Sequence, residues 1–298
     1  MEKFLLAALC LAMNLPMSMM DLATEVSADL SAIASSVIQV EKRTDDTGNT
    51  ITTFSKLDDF ADAVRLAKPE ISDYDLAVYI LQYTDQEITG LSEEEVLSFL
   101  AYDNITTSSC YVGIDGMGNT YVSHDAAMPA KDRSPSDSDI KISTSYSHLK
   151  TDRAEKYYSV WATASWLRYP AVCVQDVFTL GTTGVFDDSY HETGSVTQHF
   201  YCRSCRNTTV RKRSVSAAAP VDNDLTLGYS RFVPVLYFEP IAPRCDYCGG
   251  GGAKDAVLST CIRYGIIADD DVNIRAGYAH KTFAQLSEYI AAPVEVLY

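Results

Sequence analysis

The chain has 298 residues, of which 47% are hydrophobic and 21% charged, so it can form one large globular domain or two smaller ones. Its formal net charge of -16 argues against nonspecific binding to nucleic acid, because most of the surface would repel a polyanion. The basic cluster between Arg203 and Arg213 is interpreted as a solvated hairpin that offsets nearby negative charge rather than as a phosphate-binding patch.

The N-terminus predicts an export signal. Phe4 to Met13 form an apolar stretch that is long enough for the core of a signal peptide and too short to span a bilayer. Small residues follow up to Ala28, so residues 1–28 are predicted to be a signal peptide. The usual positive charge is missing, since Glu2 cancels Lys3, and a buried N-terminal helix is the alternative. No later segment reaches transmembrane length, so a soluble secreted or cell-surface protein is expected.

Residues 29–103 are rich in acidic side chains and carry a helical pattern of apolar ones. A first predicted helix ends before Pro69, and a second begins at Ser72 or Asp73. The apolar residues of these two helices recur at steps of three and four along the chain: Leu57, Phe60, Ala61, Val64, Leu76, Tyr79, Ile80 and Tyr83. We therefore predict an acidic helical segment over this range.

A third helix is predicted from the residues at its N-terminus. Ser92 is placed as the N-cap, and Glu95 lies three residues later, where the two can form a capping box. Leu91 is placed to pack against Val96. The glutamates at 93–95 lie in the first turn, where the helix dipole favours negative charge. We interpret them as stabilising the helix rather than as binding a metal.

Beyond residue 104 the apolar residues alternate with a period of two, which predicts β-strands. Ser109 to Ile114 and Thr120 to Ser123 flank a glycine-containing turn and are predicted to form a hairpin. The other predicted strands are Ile140 to Tyr146, Tyr157 to Leu167, Ala171 to Leu180, Ser195 to Cys202, Thr208 to Ala217, Ser230 to Phe238, Val257 to Ile267 and Val272 to His280, with an edge strand at Pro293 to Tyr298. Short strands separated by turn residues favour an antiparallel sandwich over β-α-β units. The predicted fold class is α+β: a small acidic helical segment at 29–103 followed by a mainly antiparallel, β-sandwich-like domain at 104–298.

Two cysteine pairs are the most specific pattern in the sequence. Cys202 and Cys205, like Cys245 and Cys248, are separated by two residues, the spacing with which one tight turn presents two sulfurs to a metal. Glycines follow Cys248, so the backbone can turn sharply there and direct its amides at the sulfurs. We predict that the four thiolates bind one structural zinc ion and leave no open coordination position.

Disulfides are the alternative for these cysteines, because an exported chain meets an oxidising environment. Of the eight cysteines, one lies in the predicted signal peptide, and the remaining seven cannot all pair within one chain. The two pairs lie farther apart than in compact zinc ribbons, so the fold must bring two hairpin tips together. Redox chemistry is a third interpretation, although no thioredoxin-like pattern surrounds either pair. Cys110, Cys173 and Cys261 are interpreted as buried small hydrophobes, and Arg203 and Arg206 as residues that neutralise the metal site.

The sequence carries no catalytic signature. Its five histidines occur outside any motif that would place a nucleophile beside a base and an orienting carboxylate. The polar run Asp187 to His191 is typical of a turn. The acidic run with Asp132, Asp137 and Asp139 is interpreted as a flexible linker, because its spacing matches no complete calcium loop. An enzymatic function is therefore less favoured than a binding or structural one.

Several segments carry a resemblance to a known group of proteins. They are Leu91 to Leu97, Tyr102 to Asn119, Ile142 to Ser147, Ala164 to Pro170, Gln175 to Val177 and Arg275 to His280. Together they resemble recurring segments of uncharacterised exported proteins of Gram-positive bacteria, spread thinly over most of the chain. The resemblance implies export and an acidic helical lead into a β-rich domain, and it implies no activity.

Three functions stay open from the sequence. An exported or cell-surface binding protein without catalytic chemistry is favoured, with a cell-wall, glycan or protein ligand as its partner. Its candidate contact residues are Tyr157, Tyr158, Trp161 and Trp166, although alternating aromatic residues on a strand more often belong to a core. The alternatives are a hydrolase that acts on wall or glycan polymers and a purely structural scaffold stabilised by zinc.

Overall fold

The structure of the protein, a computed structural model, describes residues 29–44, 49–88, 91–114, 120–123, 138–149, 156–168, 176–182, 185–186, 193–202, 204–214, 235–238, 245–249, 253–268, 272, 274–280 and 290–296. Within these ranges no helix is long and apolar enough to cross a membrane.

Four helices are described in the N-terminal part of the chain. They are α1 at residues 29–37, α2 at Leu57–Ala67, α3 at Asp73–Tyr83 and α4 at Glu93–Ser98, and a short 3-10 helix follows at Phe99–Ala101. The buried residues of α2 are the four apolar residues that predicted it. The helical pattern of this region is therefore confirmed.

The predicted N-terminal caps begin α3 and α4. The Ser72 side chain accepts a hydrogen bond from the backbone N–H of Asp75 at 3.0 Å. At α4 the Ser92 hydroxyl accepts from the backbone of Glu95 at 3.2 Å, and the Glu95 carboxylate accepts from the backbone of Ser92 at 2.5 Å. This reciprocal pair is the capping box that the sequence predicted. Both helices begin at these residues because their caps satisfy backbone donors locally.

Fourteen strands are described. They are β1 Gln39–Thr44, β2 Thr50–Ser55, β3 Asn104–Ile114, β4 Thr120–Ser123, β5 Ser138–Leu149, β6 Tyr157–Arg168, β7 Asp176–Thr182, β8 Val185–Phe186, β9 Thr193–Cys202, β10 Thr208–Ser214, β11 Val235–Phe238, β12 Ala253–Ile267, β13 Ile274–His280 and β14 Ile290–Val296. Each strand predicted beyond residue 104 overlaps one of these. The mixed α+β class with mainly antiparallel strands is confirmed.

The hairpin of β1 and β2 lies within the segment that the sequence predicted as helical. All six residues of β1 are exposed, so no apolar alternation marks it as a strand. β2 pairs with β3 and thereby joins the hairpin to the β-rich region. Residues 29–103 are therefore not wholly helical, and pairing with β3 decides the conformation of residues 39–55.

The strands form two antiparallel sheets. In the larger sheet the order is β1-β2-β3-β5-β6-β12-β9-β10, with β4 paired to β3 and β8 paired to β12. In the smaller sheet the order is β11-β7-β13-β14. The hairpins β1–β2 and β9–β10 consequently lie at opposite ends of the larger sheet.

One hydrophobic core lies between the sheets. Val160 and Ala162 of β6 belong to the same buried cluster as Phe178 of β7 and Ile274 of β13. Since side chains alternate along a strand, β6 directs every second residue into this cluster. Contact between the inner faces of two antiparallel sheets is the packing of a β-sandwich.

The helices cover the other face of the larger sheet. Trp161 of β6 belongs to a second buried cluster together with Phe60 of α2, Leu76 of α3 and Val96 of α4. A buried arginine, Arg263 of β12, adds to this contact. The molecule therefore has three layers, with the larger sheet in the middle.

Arg263 connects the helical layer to the sheet. Its guanidinium carbon lies 5.2 Å from the ring centre of Phe99, 5.8 Å from that of Tyr102 and 5.9 Å from that of Trp161. Its Nη2 also donates to the Ser98 hydroxyl at 3.1 Å. The residue is 7% exposed, so the aromatic rings and hydroxyls replace the water it loses on burial.

Candidate metal centre

The first cysteine pair lies at the tip of the β9–β10 hairpin. Cys202 is the last residue of β9, and Cys205 lies in the turn before β10. The backbone N–H of Cys202 donates to the Asn207 carbonyl at 2.9 Å, and that of Arg206 donates to the Cys202 carbonyl at 2.9 Å. We call residues 202–206 the first knuckle. Its two cysteines are held by hydrogen bonds at the end of a strand ladder.

The second pair lies in a turn at residues 245–249, which we call the second knuckle. The N–H of Gly249 donates to the Cys245 carbonyl at 2.9 Å, the same bond that Arg206 makes in the first knuckle. Gly249 has a φ of 66° and Arg206 a φ of 62°. The predicted glycine turn after Cys248 is therefore present, and both knuckles share this hydrogen bond and a left-handed residue directly after the second cysteine.

Strand pairing explains why the knuckles meet. β12 begins at Ala253, shortly after Cys248, and Ala253 pairs with Cys202 in the ladder of β9 and β12. The chain of the second knuckle therefore enters the larger sheet directly beside the first knuckle. Two pairs that are distant in sequence converge because they adjoin neighbouring strands.

The four sulfur atoms form a compact cluster. All lie within 4.8 Å of one another, with Cys202 Sγ 3.6 Å from Cys248 Sγ and Cys205 Sγ 3.3 Å from Cys245 Sγ. A tetrahedral zinc ion with Zn–S bonds of about 2.3 Å would separate its sulfurs by about 3.8 Å. A disulfide needs an S–S distance of about 2.05 Å, and none of the four cysteines is in a disulfide. The predicted ligands are therefore arranged so that they can hold one metal ion.

The four cysteines differ in exposure. Cys202 and Cys245, the first of each pair, are 1% and 2% exposed, whereas Cys205 is half-buried and Cys248 is exposed. The two buried cysteines and Cys205 form a small cluster separate from the two hydrophobic cores. Four protein ligands fill a tetrahedral shell and leave no position for substrate, which is the arrangement of a structural metal site.

Backbone amides in the first knuckle stabilise a thiolate. The N–H groups of Cys205 and Ser204 donate to the Cys202 sulfur and lower the pKa of Cys202 to about 6. The N–H of Asn207 acts in the same direction on Cys205, but burial and the neighbouring Cys245 thiol outweigh it and raise the pKa of Cys205 to about 12. One sulfur ionises easily while its neighbour keeps its proton. A cation between the sulfurs would remove this opposition, because it offsets their mutual repulsion.

The second knuckle has the same amide arrangement. Burial raises the pKa of the Cys245 thiol, but the N–H groups of Cys248 and Tyr247 outweigh this effect and the net change in pKa is downward. Each knuckle thus supplies one buried sulfur whose ionised form is stabilised by its own backbone. Thiolates are the form of cysteine that binds metals.

An ion pair joins β10 to the second knuckle without involving a metal. Arg211 of β10 donates from Nε to Asp246 Oδ2 at 3.3 Å and from Nη2 to Asp246 Oδ1. The hydrogen-bonded Arg211 guanidinium lowers the pKa of the Asp246 carboxyl. Arg203 and Arg206 were predicted to compensate the charge of the metal site. Arg203 lies outside the described residues, the Arg206 side chain is exposed, and the observed contact is made by Arg211. Asp246 was not predicted as a site residue, although it lies between the two cysteines of the second pair.

Four aromatic residues predicted as ligand contacts are buried, with exposed fractions of 7%, 8%, 3% and 1%: Tyr157, Tyr158, Trp161 and Trp166. Trp161 Nε1 donates to Gln86 Oε1 at 2.8 Å, and Trp166 Nε1 donates to the Tyr278 hydroxyl at 2.9 Å. The prediction that these four residues contact a ligand is therefore wrong. The smaller sheet covers one face of β6, and the helices cover the other.

The remaining cysteines follow the prediction in part. Cys110 is fully buried between the sheets, and burial raises the pKa of its thiol to about 12, as expected of an inert small hydrophobe. Cys261 of β12 is half-buried rather than buried. Cys173 lies outside the described residues.

Asp139 and His148 are the residues of the acidic run and of the histidines whose surroundings are described. Asp139 was predicted in a flexible linker, but it lies in β5 and is 1% exposed, so that prediction is wrong for this residue. His148 is half-buried, with its ring centre 5.2 Å from that of Tyr158. Asp132, Asp137 and the run from Asp187 to His191 lie outside the described residues.

No family model matches the sequence, and a search of curated proteins likewise returns no match. The resemblance to exported proteins of Gram-positive bacteria stays a prediction. The case for a metal site rests on the geometry of the two knuckles.

Proposed function

We propose that this protein is a non-catalytic, β-rich binding protein whose sandwich is stabilised by one structural zinc ion on Cys202, Cys205, Cys245 and Cys248. The observation that carries the proposal is the convergence of four sulfurs from two knuckles within 4.8 Å. Soft thiolate ligands in a tetrahedral arrangement suit zinc. The backbone amides that favour ionised Cys202 and Cys245 support the same choice.

The zinc ion would connect regions that lie far apart along the chain. The first knuckle closes a hairpin at the end of the larger sheet, and the second follows β11 of the smaller sheet. An ion bound to both would restrict the long intervening stretch in the unfolded chain and hold one side of the sandwich in the folded chain. Its role would be stabilisation.

A polar cavity at the end of α3 bears on the alternative of a hydrolase. Asp85, Glu87 and Lys141 contribute to the lining of a space of about 60 Å³, which has room for a few water molecules. Lys141 Nζ lies 2.6 Å from Asp85 Oδ2, and the Ser165 hydroxyl donates to Glu87 at 3.1 Å. Both carboxylates have partners, and the space is too small for a sugar ring between them, so this cavity does not support a glycan hydrolase.

Export or display at the cell surface is part of the proposal. It is supported by the apolar stretch at residues 4–13 and by the resemblance described above. The expected ligand is a cell-wall component, a glycan or a protein. Sequencing the N-terminus of the protein recovered from producing cells tests this part. A chain that begins near Ala28 outside the cell supports export, and a chain that keeps Met1 inside the cell contradicts it.

Metal analysis of the purified full chain tests the zinc site. We expect one zinc ion per chain and four thiols that react with a thiol reagent only after a chelator is added. The matched variants are Cys205→Ser, which should lose zinc, and Cys261→Ser, which should keep it because Cys261 lies outside the cluster. Metal-free protein in which the four thiols cannot be titrated would show disulfides instead. Zinc and thiols should be measured on protein from the same cell fraction that is used for N-terminal sequencing.

A further inference from the structure

A second concave site lies at the end of the larger sheet opposite the knuckles. It is a groove of about 420 Å³ over the β1–β2 hairpin and β3, with the C-terminal end of α3 as one wall. Small-molecule sites have volumes of about 300–1,000 Å³, so this groove is large enough for an organic ligand.

The floor of the groove is a row of polar side chains. Lys42 of β1 pairs with Thr52 of β2, and Thr52 pairs with Thr107 of β3, so the three lie side by side on one face of the sheet. Ser109 follows on the same face of β3. Within the part of the chain that the structure describes, Lys42, Thr52 and Ser109 have no hydrogen-bond or ion-pair partner for their side chains. One ammonium and two hydroxyls are thus available to a ligand.

The wall of the groove is aromatic and apolar. The Tyr83 ring of α3 meets the Phe54 ring of β2 edge to face, with centres 6.0 Å apart. Val40 of β1 is 45% exposed beside them. The groove therefore combines an apolar surface with groups that donate and accept hydrogen bonds.

The groove has one ammonium in otherwise negative surroundings. Asp85 in the lining is bound to Lys141 at 2.6 Å and does not pair with Lys42. The C-terminal end of α3 adds a partial negative charge to the wall, and the whole chain carries a net charge of -16. Phosphate and other strong anions are disfavoured by these charges.

We infer that this groove binds a neutral saccharide. Sugar hydroxyls both donate and accept, so they match Lys42, Thr52 and Ser109, and the C–H face of a pyranose ring matches Val40 and Tyr83. The inference rests on the proposal of a binding protein and is independent of the zinc site, because the two sites lie at opposite ends of the larger sheet.

Titration of the zinc-containing full chain, labelled with nitrogen-15, tests the inference. The probes are cellobiose, maltose and N,N'-diacetylchitobiose, with galacturonate as a charged comparison. We expect at least one neutral disaccharide to cause saturable shifts of amide resonances in β1, β2 and the end of α3. No saturable shift with any of the three, or tighter binding of galacturonate, would overturn the inference.

Matched variants separate a groove effect from a general one. Thr52→Val should weaken binding about tenfold, because it removes a groove hydroxyl at nearly constant volume. Thr53→Val is its control, since the Thr53 hydroxyl lies 3.1 Å from that of Thr106 on the opposite face of β2. Lys42→Gln should likewise weaken binding, whereas Arg43→Gln on the same strand should not. Equal effects of a variant and its control would contradict the assigned site.

Zinc content measured on the same samples keeps the two proposals distinguishable. A chain that contains zinc but binds no saccharide would contradict the saccharide site and support the metal site. A zinc-free chain that binds saccharide would contradict the metal site and support the saccharide site.

Discussion

The turns of the two knuckles have the same hydrogen bond and a left-handed residue at the same position, but different neighbouring strands stabilise them. The first lies between β9 and β10, whose ladder continues from Thr208 opposite Tyr201. The second is followed by β12, and its left-handed position is occupied by Gly249, whereas the first uses Arg206 there. A strand ladder can hold a non-glycine residue in this conformation despite its steric cost, because the hydrogen bonds on both sides fix the turn. We infer that a turn without such a ladder depends more on glycine.

Removal of a ligand from either knuckle should have the largest effect. We expect Cys202→Ser and Cys245→Ser each to lose zinc and to lower the free energy of unfolding by about 4 kcal/mol when free zinc is about 1,000 times its Kd. Denaturant titration with and without zinc measures this difference. Cys202→Ser should speed amide hydrogen exchange in β9 only slightly, because the ladder of β9 and β10 persists. Cys245→Ser should speed exchange in the second knuckle more. Full zinc content in the Cys245→Ser variant, with a stability that still rises on addition of zinc, would contradict the site.

Substitution at the left-handed position of the second knuckle should have the next largest effect. Gly249→Ala is expected to lower the free energy of unfolding by about 1–2 kcal/mol, because a β-carbon is disfavoured at a φ of 66°. Chemical denaturation of the zinc-loaded chain checks the value. An unchanged midpoint would mean that the second knuckle does not require glycine.

The opposite substitution in the first knuckle should be mildly stabilising. Arg206→Gly is expected to raise the free energy of unfolding by about 0.5–1 kcal/mol, since relief of the left-handed conformation exceeds the added entropy of the unfolded chain. Lys56→Gly is the matched control, because Lys56 has a φ of 64° at the start of α2, far from the cysteines in the chain. Both should stabilise the fold, but only Arg206→Gly should slow the transfer of zinc to a chelator. A loss of zinc affinity in Arg206→Gly would instead assign a charge role to Arg206.

Loss of the ion pair between β10 and the second knuckle should have the smallest effect. Arg211→Gln is expected to weaken zinc binding about two- to fivefold at low salt, because an exposed ion pair contributes little. The difference should disappear in about 1 M salt, where the Debye length is about 3 Å. Chelator competition at two salt concentrations measures it. An effect that persists at high salt would point to packing by the Arg211 side chain.

The elements that the sequence predicted well are those whose determinants are local. Ser72 begins α3 and the Ser92–Glu95 capping box begins α4, because each cap bonds to backbone within a few residues. The strands beyond residue 104 followed from alternation, since a half-buried strand displays its own burial pattern. β1 escaped detection because all its residues are exposed and its strand conformation depends on β2.

The features that the sequence did not predict depend on neighbours that are distant along the chain. Trp161 was a candidate contact residue until the helices on one face and the smaller sheet on the other placed β6 in the interior. Asp139 was assigned to a linker because its composition is that of a loop, yet β5 begins at Ser138 and buries it. Asp246 is a site residue because it forms an ion pair with Arg211 of β10, which is distant from it along the chain. A residue's own surroundings in sequence carry none of this information.

The sequence alone determined each knuckle, because two cysteines separated by two residues and a following turn form a unit that is complete within a few positions. It also determined the helical start signals and the β-rich class. Only the tertiary structure decided that the two knuckles face one another, through the pairing of Ala253 with Cys202. Only the tertiary structure likewise formed the groove, because its floor and wall come from three strands and a helix that no local pattern relates. Contacts between distant segments depend on how strands are ordered in a sheet, and that order is a property of the whole chain.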